Sequence, residues 1–157
     1  MRKAGELGFL GVAVPEEYGG LGMGFVSTVL VCAQISGCTG SLSTAFGAHT
    51  GIGTMPIVLY GSDEQKKKYV PKLASGEHFG AYCLTEPTAG SDANSGKTKA
   101  ILSDDGKHYK ISGQKIWISN AGFANLFIVF ARIEDDKNIT GFIVPNDPEN
   151  GIILGEE

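Results

Sequence analysis

The chain has 157 residues, 42% of them apolar and 19% charged, enough to build one or two small cores and too apolar for a disordered chain. A formal net charge of −4 and a pI near 5.4 exclude a nucleic-acid surface as the organising feature, because phosphates demand a local cationic excess. No apolar run reaches the ~20 residues that cross a bilayer, and no charged-then-apolar export signal follows Met1, so the chain is expected to be soluble and unexported.

In chain order, "LGFLGVAVPEEYGGLGMG" (7–24) predicts a loop with a short helical start, since its proline and paired glycines break any long helix. Phe25, Val26, Val29, Leu30, Cys32, Ala33 and Ile35 recur at three- and four-residue intervals, predicting a helix with one buried face that stops at Gly37. Residues 41–60 are small and mostly uncharged; Gly47, Gly51, Gly53 and Pro56 predict two helical pieces with a break between them. After Gly61, a stop, "SDEQ" has the capping-box arrangement of Ser62 and Gln65 and opens a helix through Tyr69 that Pro71 ends or kinks. The basic run Lys66-Lys67-Lys68 reads as a solvated face of that helix.

Near Gly80 the periodicity changes from helical to strand-like. Residues 79–84, 97–102, 108–112, 116–119, 125–133 and 139–144 read as strands, joined by the turn formers "SDDGK", "SGQK", "NAGFA" and "EDDKN". Short strands with short links imply an antiparallel sheet. "LFIVFA" (126–131) is apolar on both faces and requires cover on both sides. A last strand, "GIIL", reaches the terminus at Glu157 without a partner. The expected fold class is therefore α+β, a helical N-terminal domain followed by an incomplete antiparallel β-barrel or sandwich, in a fragment of a longer protein. Cys32, Cys38 and Cys83 lack metal-ligand spacing and sit in apolar contexts, which predicts buried thiols in a reducing compartment.

The stretch "YCLTEPTAGSDANSGK" (82–97) carries the richest chemistry. A strand feeds Thr85, Pro87 fixes a turn, and Gly90 and Ser91 expose backbone N–H groups beside a hydroxyl, a nest suited to an anionic oxygen. Local side-chain-to-backbone bonds in a plain surface loop account for the same residues. In "GQKIWISNAG" (113–122) the only tryptophan, Trp117, precedes Ser119, so an aromatic wall stands next to a small hydroxyl; a core aromatic is the competing account.

Taken together and in order, these stretches resemble the acyl-CoA dehydrogenase family. "YCLTEPTAGSD" and "GQKIWISN" resemble its flavin-binding middle domain, while "LGFLGVAVPEEYGGLGMG", "AFGAHTGIGTMPIVLYG" and "GSDEQKKKYVPKLASGE" resemble its N-terminal helical domain. The resemblance implies an N-terminal helical domain over 1–78 and part of the middle β domain over 79–157, with the C-terminal helical domain absent. It implies FAD as cofactor, with Tyr82, Leu84 and Thr85 along the ring, Gly90 and Ser91 at the pyrophosphate, and Trp117, Ile118 and Ser119 packing from the other strand. Many members carry threonine at the position of Ser119; serine keeps the hydroxyl.

The same resemblance implies α,β-dehydrogenation of acyl-CoA thioesters in fatty-acid β-oxidation, with electrons passed to an electron-transfer flavoprotein. A flavin oxidase or monooxygenase of the same superfamily, and a non-catalytic interaction module, are the alternatives. Ser91, Thr44 and Ala48 are the positions expected to meet the acyl-CoA. Small side chains at Thr44 and Ala48 imply either a deep cavity for longer acyl groups or close helix packing. The catalytic glutamate belongs to the absent domain; Glu86 is expected to structure its loop and His49 to be structural. The fragment alone is expected to be inactive, the full-length protein a homo-oligomer, and the location cytoplasmic, or the mitochondrial matrix in a eukaryote.

Overall fold

A computed structural model describes residues 1–155. The N-terminal part is helical: α1 (Arg2–Glu6), α2 (Phe25–Ser36), α3 (Gly40–Gly47), α4 (Met55–Tyr60) and α5 (Asp63–Ser75). Between α1 and α2 the chain makes only short 3₁₀ turns, as the glycine-punctuated lead-in requires, and buries Leu10, Val12, Val14 and Tyr18. Among the described residues, no helix is long and apolar enough to cross a membrane.

Three helical expectations need correction. Helix α2 forms, but its apolar residues are not a buried face: Phe25 is 81% exposed and Val26 73%. Only Val31, Cys32 and Ile35 pack inward, against the cluster of Leu10, Phe46 and Phe79. Periodicity tells which residues share a face, and it is silent on whether a partner is present. Between α3 and α4 there is no break; residues Ala48–Thr54 continue as a wider π-helical stretch. Pro56 is accommodated at the junction where the π-helical stretch passes into α4, in the first turn of that helix. Helix α5 begins at the expected capping box, with Gln65 N–H on Ser62 Oγ (3.2 Å) and Ser62 N–H on Gln65 Oε1 (2.9 Å), but runs through Pro71 to Ser75. Burial of Val70, Leu73 and Ala74 on either side of the proline offsets the lost hydrogen bond.

Five strands follow among the described residues: β1 (Gly80–Cys83), β2 (Lys99–Leu102), β3 (Tyr109–Ser112), β4 (Leu126–Ile133) and β5 (Ile139–Pro145). The α+β order and an open sheet agree with expectation, but the sheet is mixed rather than antiparallel. Strand β4 is its centre. Along one edge β5 pairs antiparallel from Leu126↔Pro145 to Arg132↔Ile139. The other edge is shared end to end by β1, parallel from Gly80↔Leu126 to Cys83↔Val129, and β2, parallel at Lys99↔Arg132 and Ala100↔Ile133. The chain thus leaves β4 after Cys83, loops out over residues 84–98, and rejoins the same edge still running in the same direction. A loop-out of this kind preserves strand direction, whereas the hairpins expected from short links reverse it.

Residues 116–119 form no strand, because Trp117 takes a left-handed backbone (φ 57°) that no ladder accommodates. "GIIL" forms no strand either; a 3₁₀ turn at Pro148–Asn150 and a left-handed Gly151 (φ 65°) precede an irregular end. Glu156 and Glu157, the end of the expected β domain, lie outside the described residues.

The "LFIVFA" strand is covered on both faces. Leu126 and Ile128 enter a core with Val14, Tyr18, Ile57, Val70, Leu73 and Ala74 from the helical part. On the opposite face Phe127 packs with Ala81, Cys83 and Ala124. The principal core therefore crosses from helices to sheet. Where they meet, Gly53 of the π-helical stretch abuts Gly80 of β1 so closely that a Cβ on Gly53 would stand 2.9 Å from the Gly80 carbonyl carbon.

Candidate functional site

The loop-out and the segment 113–122 are neighbours, and backbone chemistry explains how. Inside the loop, Glu86 N–H donates to Ala89 O (3.0 Å) and Ala89 N–H to Glu86 O (3.2 Å), closing a tight turn over Pro87 and Thr88. The N–H groups of Gly90 and Ser91 have no hydrogen-bond acceptor among the described residues, and both residues are exposed. Gly90 has no positive φ, and an added Cβ there would meet nothing within 4 Å. Neither a left-handed conformation nor internal packing requires glycine at this position.

Glu86 is 5% exposed and saturated with donors. Its Oε1 receives Lys115 Nζ (2.8 Å) and Thr98 N–H (3.0 Å), and its Oε2 receives Lys97 N–H (2.5 Å). Burial alone would push this carboxyl up, but the Lys115 ammonium and the N–H groups of Lys97 and Thr98 outweigh it and hold the pKa at about 2. The expectation of a loop-structuring carboxylate agrees with this geometry. Lys115 Nζ also donates to Leu84 O (3.1 Å), and Ile116 N–H to Thr85 O (3.0 Å). Segment 115–116 therefore runs beside 84–86.

Farther along the loop, Asn94 donates through Nδ2 to Lys137 O (3.1 Å) and accepts Ile139 N–H at Oδ1 (3.1 Å). Arg132 donates to the carbonyls of Asp136, Lys137 and Asn94. The loop is pinned at Glu86 and Asn94, and between these pins Pro87, Thr88 and Gly90–Asp92 are exposed while Ala89 is buried.

Trp117 settles one alternative left open by the sequence, for at 87% exposure it is no core aromatic. An exposed indole held at φ 57° is a strained arrangement of the kind found where binding, rather than packing, sets the geometry. Ile118 is half-buried against the cluster under β4, while Ser119 is exposed. Ser119 lines an open recess of about 490 Å³ with Gly40, Ser41, Thr44, Ala45, Asn120 and Phe123, so two hydroxyl residues from the helical part, Ser41 and Thr44, and one from the sheet part line one space. Ala48, half-buried at the start of the π-helical stretch, is not among its lining residues. Tyr82 and Leu84 are half-buried along the strand exit, Tyr82 with its ring 4.9 Å from that of Phe130.

Asn120, not assigned a role from the sequence, and His49, expected to be structural, tie together the elements around the recess. Asn120 (φ 70°) donates through Nδ2 to Ala45 O (3.0 Å) and Gly80 O (3.3 Å), tying α3 to β1. Asparagine tolerates the left-handed backbone this requires, and "SNAG" carries that signal in the sequence. His49, 0% exposed, accepts Gly80 N–H at Nδ1 (3.0 Å); its Nε2 must then carry the proton and donate to Leu73 O (3.0 Å). Burial pushes its pKa down to about 4, consistent with the structural reading of this histidine. Cysteines differ from expectation: Cys83 is buried, its thiol pushed up to about 12 by burial, but Cys32 is half-buried and Cys38 exposed, because α2 and its C-terminal end lie on the surface.

The site thus offers an exposed indole and small hydroxyls beside a loop with unused N–H donors, a surface fitted to a planar group with an anionic tail. Comparison with known proteins fits that chemistry. Residues 1–77 match the family model for the acyl-CoA dehydrogenase N-terminal domain, and residues 81–156 that for the acyl-CoA dehydrogenase middle domain. A probable acyl-CoA dehydrogenase of Bacillus subtilis (strain 168) is 53% identical over 147 residues, covering 94% of this chain and 24% of that protein. A crystal structure of an acyl-CoA dehydrogenase complexed with FAD from Bacillus anthracis superposes with a TM-score of 0.90 at 51% identity, over 93% of this chain and 25% of the other. A chain from a structure of the electron transferring flavoprotein of Acidaminococcus fermentans gives a TM-score of 0.86 at 38% identity, over 92% of this chain and 38% of its own length. This chain spans about a quarter of the length of the two Bacillus proteins.

Proposed function

Since the chain belongs to the acyl-CoA dehydrogenase family, we propose that it forms one side of an FAD site in an enzyme that removes hydrogen across the α,β bond of acyl-CoA thioesters. The observation that carries this reading is the alignment of segment 115–116 with 84–86, which bonds Thr85 to Ile116, the residue before the strained, exposed Trp117. Tyr82, Leu84 and Thr85 would lie along the ring, with Trp117, Ile118 and Ser119 against it from the second segment. Gly90 and Ser91 would receive the pyrophosphate through their unused N–H groups, where glycine leaves room for close approach. FAD, when bound, supplies the acceptor for the β-hydrogen and its electron pair.

The remaining chemistry is proton removal at the α-carbon, and the nearest buried carboxylate does not supply it. Glu86 has both oxygens committed to Lys115 and backbone donors, and a carboxylate held near a pKa of 2 is a poor base. We assign the base to residues outside this chain, and with it expect the chain alone to be inactive. Thr44, in the recess shared with Ser119, together with Ala48 and Ser91, would meet the acyl-CoA. Fatty-acid β-oxidation as the setting, an electron-transfer flavoprotein as electron acceptor, homo-oligomeric assembly, and a cytoplasmic or mitochondrial-matrix location belong to the same proposal.

The test uses the protein as the cell makes it. Bound flavin should be bleached anaerobically by an acyl-CoA and recovered by an electron-transfer flavoprotein. Rapid recovery by oxygen alone would identify an oxidase instead, and a protein that neither binds flavin nor is stabilised by it would sink the assignment.

A further inference from the structure

We propose that Lys115, through its ion pair with Glu86, is a positioning residue that sets Thr85 and Trp117 relative to one another; this rests on the FAD reading above. Its ammonium donates to Leu84 O and to Glu86 Oε1, the residues immediately before and after Thr85. The carbonyl of Thr85 itself accepts the next N–H along, that of Ile116. Thr85 is therefore bracketed on three consecutive residues by two consecutive residues of the other segment. Trp117 follows directly, with its left-handed backbone turning the indole outward.

The same carboxylate closes the loop's exit through the N–H groups of Lys97 and Thr98. One buried pair thus joins the loop's entrance, its exit and the segment bearing the indole. The side chains are 12% and 4% exposed, so water screens the contact little, and Gly96 lies so near that a Cβ on it would stand 3.0 Å from Glu86 Oε1. A lysine whose donors go to a carbonyl and a carboxylate on either side of one residue fixes direction as well as distance.

The experiment compares K115M and the double variant E86Q/K115M with the parent in the full protein. Removing the ammonium alone leaves a buried charge; the double variant leaves none, but its amide offers one acceptor oxygen to the N–H groups of Lys97 and Thr98 where the carboxylate offered two, so it should recover part of the lost thermal stability. Three readouts are taken: melting temperature without FAD, amide exchange at Ile116 and Thr98 without FAD, and FAD titration with the absorption spectrum of the bound flavin. Both variants are expected to exchange the Ile116 amide at least tenfold faster. Both should also bind FAD at least tenfold more weakly with an altered flavin absorption envelope. Where K115M does not fold, the double variant carries the test. Parent-like FAD affinity and spectrum in the double variant would overturn the positioning role. A parent that itself takes up no FAD would overturn the site reading and this proposal with it, and its own titration tells the two failures apart.

Discussion

His49 connects three elements through two nitrogens, and only the neutral ring can do so, because protonation turns Nδ1 from an acceptor facing Gly80 N–H into a second donor. Its folded pKa of about 4 lies below the ordinary 6.5, so the unfolded chain binds the proton more readily in between. The stability involved is complete above pH 6.5 and lost as pH falls toward 4, a difference of roughly 3 kcal/mol at 1.36 kcal/mol per pKa step. Urea unfolding at pH 7 and pH 5 should show the loss, and H49Q should flatten the pH dependence across that window. Glu86 adds a second, lower window, since its carboxyl is held at about 2 against an ordinary 4.5 and its stabilisation disappears only as pH falls through that range. Trp117 makes the opposite bargain with stability. Its exposed indole contributes little packing while its backbone is strained, so W117G is expected to leave the flavin-free protein as stable or about 1 kcal/mol more stable, while weakening FAD binding. Thermal melts without flavin, paired with a titration, separate the two effects. The motif residues were legible in the sequence because their types carry chemistry; the exposure of Trp117 was not, since exposure depends on a backbone angle that composition does not encode.

At the scale of elements, strand positions were legible from β-branched and aromatic runs, and the α5 start from its capping box. Strand directions were not. Whether residues 84–98 reverse the chain or return it to the same edge depends on pairings with β4, more than forty residues away at Gly80↔Leu126. Of the two outcomes expected at Pro71, an end or a kink, the helix does not end, because the buried row of Val70, Leu73 and Ala74 outweighs one missing hydrogen bond. The π-helical stretch shows the same dominance of tertiary contact. Its Gly53 meets Gly80 backbone to backbone, so G80A is expected to force the two apart and destabilise by about 1–3 kcal/mol, measurable by chemical denaturation. Because Gly80 also supplies partners to His49 and Asn120, the variant should loosen the recess near Ser119 as well.

At the scale of the whole molecule, one core spans the helical part and the sheet, with Leu126 (1% exposed) between Ile57, Val70 and Leu73 on one side and its own strand on the other. L126A is expected to cost about 2–5 kcal/mol and to lower the helical and sheet signals in a single transition. The solitary tryptophan will follow that transition poorly, being already exposed in the folded state, so circular dichroism is the proper probe. The apolar spacing of α2 predicts a buried face, and the helix forms with Phe25, Val26 and Leu30 exposed because no layer covers them among the described residues.

The loop-out between β1 and β2 separates reach from shape. Its ends sit opposite Val129 and Arg132, a separation of about 10 Å at some 3.3 Å per strand residue, while the intervening chain over 84–98 could stretch to roughly 50 Å. Nearly all of its length is therefore spare, available for contour rather than for bridging a distance. Insertions or deletions within its free middle would alter the outline presented to a ligand without shifting the register of any strand. The anchors at Glu86, Asn94 and Arg132 mean that most of the cost in disorder is met once, when the chain folds. A ligand arriving later meets a contour already set.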